Sequence, residues 1–310
     1  MYMAYPIEKK LVIAVASSAL FDLTESDSVF KAQGIHNYRE YQNKKIDVPF
    51  EKGVAFPFVR RLLKLNDSFP EEKPIEVVLM SRNSPETGLR AFRSIAHYGL
   101  DITRAAFSSG TSHFCYLPAF NASLFLSANE QDVKDAIKNK YAAGRVINKL
   151  GVIDDENDNE LRIAFDFDGV IVDDESEIVY KSAINIEEYQ QHEKLLSSVP
   201  LQMGPFAELL KRISYFQKLE ITKSENDKNY KRILKIAIVT ARNAPAHERV
   251  ISTLRAWDVD VDQAFFLGGI EKSRVLNIMK PHIFFDDQMV HFENINNIPA
   301  VHIPFGVANE

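Results

Sequence analysis

Apolar residues along the chain fall into two recurring patterns. Short β-rich runs occupy 11–16, 75–80, 105–107, 124–126, 161–165, 233–239, 264–267 and 283–285. Compact runs with little polar alternation predict strands buried on both faces. Between them, 54–65, 86–98, 130–138, 206–216, 246–257 and 273–279 repeat apolar residues at three and four positions, the spacing of one helical face. Strand following helix following strand predicts an α/β fold, with parallel sheets covered by helices on both faces. Two polar stretches interrupt the pattern. Asp154-Asp155-Glu156-Asn157-Asp158-Asn159-Glu160, with five acids, predicts a solvated linker near mid-chain, and 223–229 predicts an exposed loop.

The order of elements repeats. Val78-Leu79-Met80-Ser81-Arg82-Asn83-Ser84-Pro85 parallels Ile238-Val239-Thr240-Ala241-Arg242-Asn243-Ala244-Pro245, allowing one inserted residue. Ile13-Ala14 aligns with Ile163-Ala164, and Phe125-Leu126-Ser127-Ala128 with Phe284-Phe285-Asp286-Asp287. A separation held near roughly 150–160 residues predicts duplication of one Rossmann-like α/β unit, with copies at 1–153 and 154–310. The copies differ in chemistry. Where the second has Asp166, Asp168, Asp286 and Asp287, the first has Ala16, Ser18, Ser127 and Ala128. The second copy is therefore expected to carry metal chemistry. The first supplies packing, substrate walls or a subunit interface, the last of which would make a homo-oligomer.

Composition narrows the classes. With 45% hydrophobic and 26% charged residues, the 310-residue chain is an ordinary folded protein rather than a disordered or disulfide-stapled one. A net charge of -6 argues against a dedicated nucleic-acid or anionic-membrane binder. One cysteine, Cys115, makes no internal disulfide and suits a reducing compartment, so a cytoplasmic location is expected. Lys9 and Lys10 before an apolar run, with Ala14-Val15-Ala16 after it, resemble a secretory signal. That run is shorter than the roughly 7–15 residues such a segment needs, so a buried strand is expected instead. No apolar run approaches the roughly 18 residues of a membrane span.

The chemistry concentrates after the strand at 161–165, in Asp166-Phe167-Asp168-Gly169. Side chains two apart on extended chain share a side, so Asp166 and Asp168 can converge beyond the carboxyl end of the strand, where ligands bind in open α/β sheets. Two adjacent carboxylates need a shared proton or a cation, and hard, oxygen-seeking Mg²⁺ meets the need. Thr240 closes another strand with a hydroxyl and free backbone N–H groups suited to a phosphate, or serves as a helix cap. Lys272 begins a helix after Gly268-Gly269, as a phosphate contact or a solvated lysine. Asp286 and Asp287 end a further strand, as metal ligands or an acidic turn. Histidines fit a metal site poorly, since no His-x-x-x-His pair exists; His247 is a pocket residue or lies on a helix surface.

Asp166-x-Asp168-Gly169-Val170, Thr240, Lys272 and Asp286-Asp287 resemble the four motifs of the haloacid dehalogenase superfamily of aspartate-nucleophile phosphatases. More narrowly, Val54-Ala55-Phe56-Pro57, Ser81-Arg82-Asn83, 97–105, Pro118-Ala119-Phe120-Asn121, 163–170 and 240–250 are similar in wording to the cytosolic type I 5′-nucleotidases. The resemblance covers about residues 10–305. It implies Asp166 as nucleophile, Asp168 as general acid and base, Thr240 and Lys272 on phosphoryl oxygens, and Mg²⁺ held by Asp166, the Asp168 carbonyl and Asp286, with Asp287 ordering a metal-bound water. It implies a nucleoside 5′-monophosphate substrate, AMP first among them, ADP as an effector, and a small cap inserted at about 173–230. Arg242 and Asn243, with Ser81, Arg82 and Asn83 of the first copy, are candidates for substrate contacts; Ser81 to Asn83 also read as a capped turn. Two alternatives remain: a phosphatase or phosphotransferase for another small phosphate ester, and a non-catalytic nucleotide sensor.

Overall fold

The computed structural model describes residues 5–147, 154–182 and 185–309. The chain divides into two compact units, Met1–Asp154 and Asp155–Glu310; residue 153, at the boundary expected from the repeat, lies outside the described residues.

In the first unit the strands are β1 (Leu11–Ala16), β2 (Phe21–Asp22), β3 (Glu51–Lys52), β4 (Ile75–Ser81), β5 (Arg104–Phe107), β6 (Ala122–Ser127) and β7 (Ala143–Val146). Five of them form parallel neighbours in the order β7-β6-β1-β4-β5, while β2 and β3 make a small antiparallel pair. Every residue of β1 is buried. The Lys10 ammonium before it is also buried, donating to the Lys73 carbonyl at 2.6 Å. The apolar run with its lysine thus serves as the central strand of a sheet. The helix Pro85–His97 starts where the sequence tells it to: Ser84 accepts from the Thr87 amide, and Pro85 fills the first turn, where its missing N–H is not needed.

The second unit carries β8 (Leu161–Phe165), β9 (Leu234–Thr240), β10 (Gln263–Phe266), β11 (Ile283–Asp286) and β12 (Ala300–His302). They pair in parallel in the order β10-β9-β8-β11-β12. Replacing β1, β4, β5, β6 and β7 by β8, β9, β10, β11 and β12 converts one order into the other, so the two units share a topology. Phe165 at the end of β8 stands opposite Ile238 of β9 and Phe285 of β11. Its ring stacks on Phe285 at 5.1 Å, and Phe206 packs on Phe285 at the same distance. Each such buried ring stabilises the unit by about 1.5–3 kcal/mol. Because Asp166 and Asp286 follow Phe165 and Phe285 directly, this apolar floor also fixes where the carboxylates emerge.

Several expectations are corrected. The expected linker is not uniformly solvated, because the Asp154 carboxylate is buried between Arg60 and Arg61 and Asp158 pairs with Arg162. Residues 223–226 are helical, since the helix Ala207–Asn226 outruns its apolar stripe by three turns before the loop begins. Polar helical stretches at Thr24–Lys44, broken at Gly34 where φ is +75°, Glu175–Ser182 and Ile186–Leu195 lacked the periodicity to be foreseen. The last two belong to the expected insertion, whose residues 183–184 lie outside the described ones. The chain leaves the sheet at Val172 and returns at Met203, where the two bridge in antiparallel fashion, and the Gly204 and Phe206 amides donate to Ile171 and Val170, both at 2.9 Å. Among the described residues, no helix is long and apolar enough to cross a membrane.

Candidate active site

Asp166 leaves the carboxyl end of β8 with its amide donating to the Phe285 carbonyl at 2.8 Å, which ties the first acid to the strand that ends in Asp286. One carboxylate oxygen accepts from the Phe167 amide at 2.7 Å. Phe167 itself is fully buried. Two residues on, Gly169 adopts φ +70°, and a Cβ built there would lie 2.6 Å from Asp287 Oδ2. Glycine is required twice over, for the left-handed backbone and for the close approach of Asp287.

Lys272 is no solvated lysine. It opens the helix Lys272–Met279 and its side chain is 2% exposed, with Nζ 2.6 Å from Asp166 Oδ2 and 2.7 Å from Asp286 Oδ2. Asp286 also accepts from the Gln288 amide at 2.8 Å, and both its oxygens lie 2.9 Å from His291 Nδ1. His291 was missed by the sequence reading. A 3-10 turn over Met289–Phe292 folds it back onto the strand end. Oxygens of Asp166 and Asp286 and a ring nitrogen of His291 all lie within 4.8 Å of one another.

This packing perturbs the acids. Burial, together with the nearby Asp286 and Asp168 charges, pushes the Asp166 carboxyl up to about 7 against the pull of Lys272. For Asp286, burial acts in the same direction, but Lys272 and then His291 outweigh it and hold the carboxyl below its usual range. Burial and then the charges of Asp166 and Asp286 push Asp287 up to about 9. Both Asp287 side-chain oxygens are buried without a hydrogen-bond partner among the described residues. Three crowded carboxylates facing one ammonium, with two orphaned oxygens, fit a divalent cation: oxygen donors suit a hard ion, and its charge would relieve the repulsion.

Asp168 takes a different partner. Both its oxygens are held by Arg242, Nε donating to Oδ2 at 2.8 Å and Nη2 to Oδ1 at 2.7 Å. Arg242 follows Thr240, the buried last residue of β9, whose Oγ1 accepts from the Arg242 amide at 3.2 Å. Asn243 is exposed beside Gly268, and the His247 ring packs edge-on against Phe266.

In the first unit, Ser81 ends β4, and Arg82 and Asn83 follow it. The Ser81 hydroxyl is shared with Ser17 at 3.1 Å, Arg82 is ion-paired with Asp132, and Asn83 Oδ1 accepts from the Tyr38 hydroxyl at 2.7 Å. The polar ends of this stretch thus have partners within their own unit.

Residues 3–310 match the profile of a family described as 5'-nucleotidase. The chain is 34% identical over 301 residues to the human protein named Cytosolic 5'-nucleotidase 1B, covering 94% of this chain and 48% of that protein. It thus spans about half the length of this curated relative. No solved structure matches the chain.

Proposed function

Because the chain belongs to the 5'-nucleotidase family, we propose that it hydrolyses nucleoside 5′-monophosphates, AMP first among them, to nucleoside and inorganic phosphate. The observation that carries this reading is the meeting of Asp166, Lys272 and Asp286 at adjoining strand ends. Asp166 attacks phosphorus, the bond to the 5′-oxygen breaks, and Asp168 supplies the proton that the departing oxygen needs. Asp168 then takes a proton from the water that cleaves the aspartyl-phosphate. Lys272 and Thr240 hold phosphoryl oxygens. Mg²⁺ is the cation proposed, held by Asp166, Asp286 and the Asp168 carbonyl with Asp287 nearby. When bound it supplies positive charge that lets an anionic nucleophile approach an anionic ester.

Asn243 stays as a candidate for a substrate contact, whereas every Arg242 N–H is already engaged within its own unit. A cytosolic location, ADP as effector and a homo-oligomer belong to the same proposal; sedimentation with and without ADP tests the last two. The reading as a whole is tested by phosphate release from AMP, IMP, GMP, CMP and dAMP with and without Mg²⁺, beside sugar phosphates. Asp166→Asn is expected to abolish release while the thermal transition persists. Release from sugar phosphates alone would move the activity to another small phosphate ester.

A further inference from the structure

The Arg242 guanidinium has five N–H donors, and all five are engaged. Two grip Asp168. A third donates to Ser176 Oγ at 2.6 Å, a fourth to Glu193 Oε2, and the fifth to the Ala246 carbonyl at 3.4 Å. The group is 2% exposed, so no N–H remains for a substrate. Glu193 is fully buried. Its other oxygen accepts from Arg249 Nη1 at 3.0 Å and from Ser176 Oγ at 3.2 Å. Ser176 and Glu193 lie on the helices Glu175–Ser182 and Ile186–Leu195, which stand between Val172 and Met203, whereas Arg242 and Asp168 follow strands of the sheet.

We infer that Arg242 and Glu193 are positioning residues: Glu193, reaching in from the inserted helices, locks the guanidinium that sets the orientation of Asp168. The inference rests on the nucleotidase reading and adds to it the part played by the insertion. A buried guanidinium held by Asp168 alone would leave three N–H groups without partners, each carrying an uncompensated desolvation penalty. Glu193, Ser176 and the Ala246 carbonyl remove that penalty and leave the fork one orientation. The fork occupies two of the roughly four lone-pair directions of the Asp168 carboxylate, and the side chain remains 21% exposed. It can therefore exchange a proton while its plane is held. The inserted helices thus complete the catalytic arrangement.

The test compares AMP with its analogue carrying sulfur in place of the bridging 5′-oxygen. A thiolate departs without being protonated, so misplacing Asp168 impairs formation of the aspartyl-phosphate from AMP but not from the analogue. Glu193→Gln is expected to lower kcat for AMP by about 10- to 100-fold, within the range that a positioned acid or base contributes, with KM changed by no more than about twofold. With the analogue it should release one equivalent of thiol per enzyme at close to the wild-type rate, then turn over slowly while Asp168 fails to activate water. Arg242→Lys, which keeps the charge but loses the fork, should behave alike, so the inference is tested even if one variant fails to fold. Arg249→Gln, which loosens Glu193 at its other oxygen, should show the same selective loss on AMP to a smaller degree. Equal losses on both esters in the first turnover for Glu193→Gln and Arg242→Lys, or no loss on AMP, would overturn the inference. A wild-type protein inactive on AMP would instead remove the nucleotidase reading, and this inference with it.

Discussion

A divalent cation entering the site near neutral pH should expel protons. Without it, Asp166 sits at about 7 and Asp287 at about 9, so at pH 7 the first is about half protonated and the second almost fully so. Ionising Asp166 alone releases about 0.5 proton per ion, and ionising both releases about 1.5. The sign follows: protons compete with the cation, so affinity rises with pH. For the larger figure the increase is about 30-fold between about pH 6.5 and 7.5. Calorimetric titration of metal-free protein with Mg²⁺, in buffers of different ionisation enthalpy, reads the proton number as the slope of heat against buffer enthalpy. Asp287→Asn should bring the number down to about 0.5. A proton number near zero, with affinity flat over the same interval, would refute the reasoning that these carboxyls are crowded and that the ion relieves them.

Three further outcomes follow from the geometry. Gly169→Ala places a side chain at φ +70° and 2.6 Å from Asp287 Oδ2; it should lower stability by about 1–2 kcal/mol from the backbone alone and weaken Mg²⁺ binding, both read by thermal unfolding with and without the ion. Lys272→Met leaves Asp166 and Asp286 buried without their ammonium; it should lose about 3–5 kcal/mol at neutral pH, and about 100-fold or more in kcat. In chelator the folded protein binds more protons than the unfolded chain from the ordinary carboxyl value of 3.8 up to the raised values of Asp166 and Asp287. Stability should therefore fall as pH rises through that window, and added Mg²⁺ should flatten the fall; a transition temperature that rises between about pH 6 and 9 in chelator would contradict it.

Much of the sheet was legible because its strands are short, continuous apolar runs. The run at 161–165 coincides with β8 from Leu161 to Phe165. Among the strands that escaped notice, Ala143–Val146 and Ala300–His302 have only four and three residues, one with an internal glycine, too short to show any period. At the site, the acids were visible because each directly follows an apolar run. Spacing alone could not choose between a solvated and a buried Lys272, since 14 residues separate it from Asp286 and 106 from Asp166; only parallel strand pairing brings them together. Asp154 misled for a related reason, as Arg60 and Arg61, which bury it, lie in a distant helix. The link from Glu193 through Arg242 to Asp168 joins the insertion, a turn after β9 and a turn after β8, and no local pattern announces it.

The central claim is that Asp166, set in this cluster, becomes covalently phosphorylated during turnover. Acid quenching during hydrolysis of AMP labelled in its phosphate, followed by peptide mapping, tests it most directly. The account predicts label on the peptide containing Asp166, discharged by hydroxylamine and lost in Asp166→Asn. Steady turnover with no labelled protein, or with label on another residue, would contradict it.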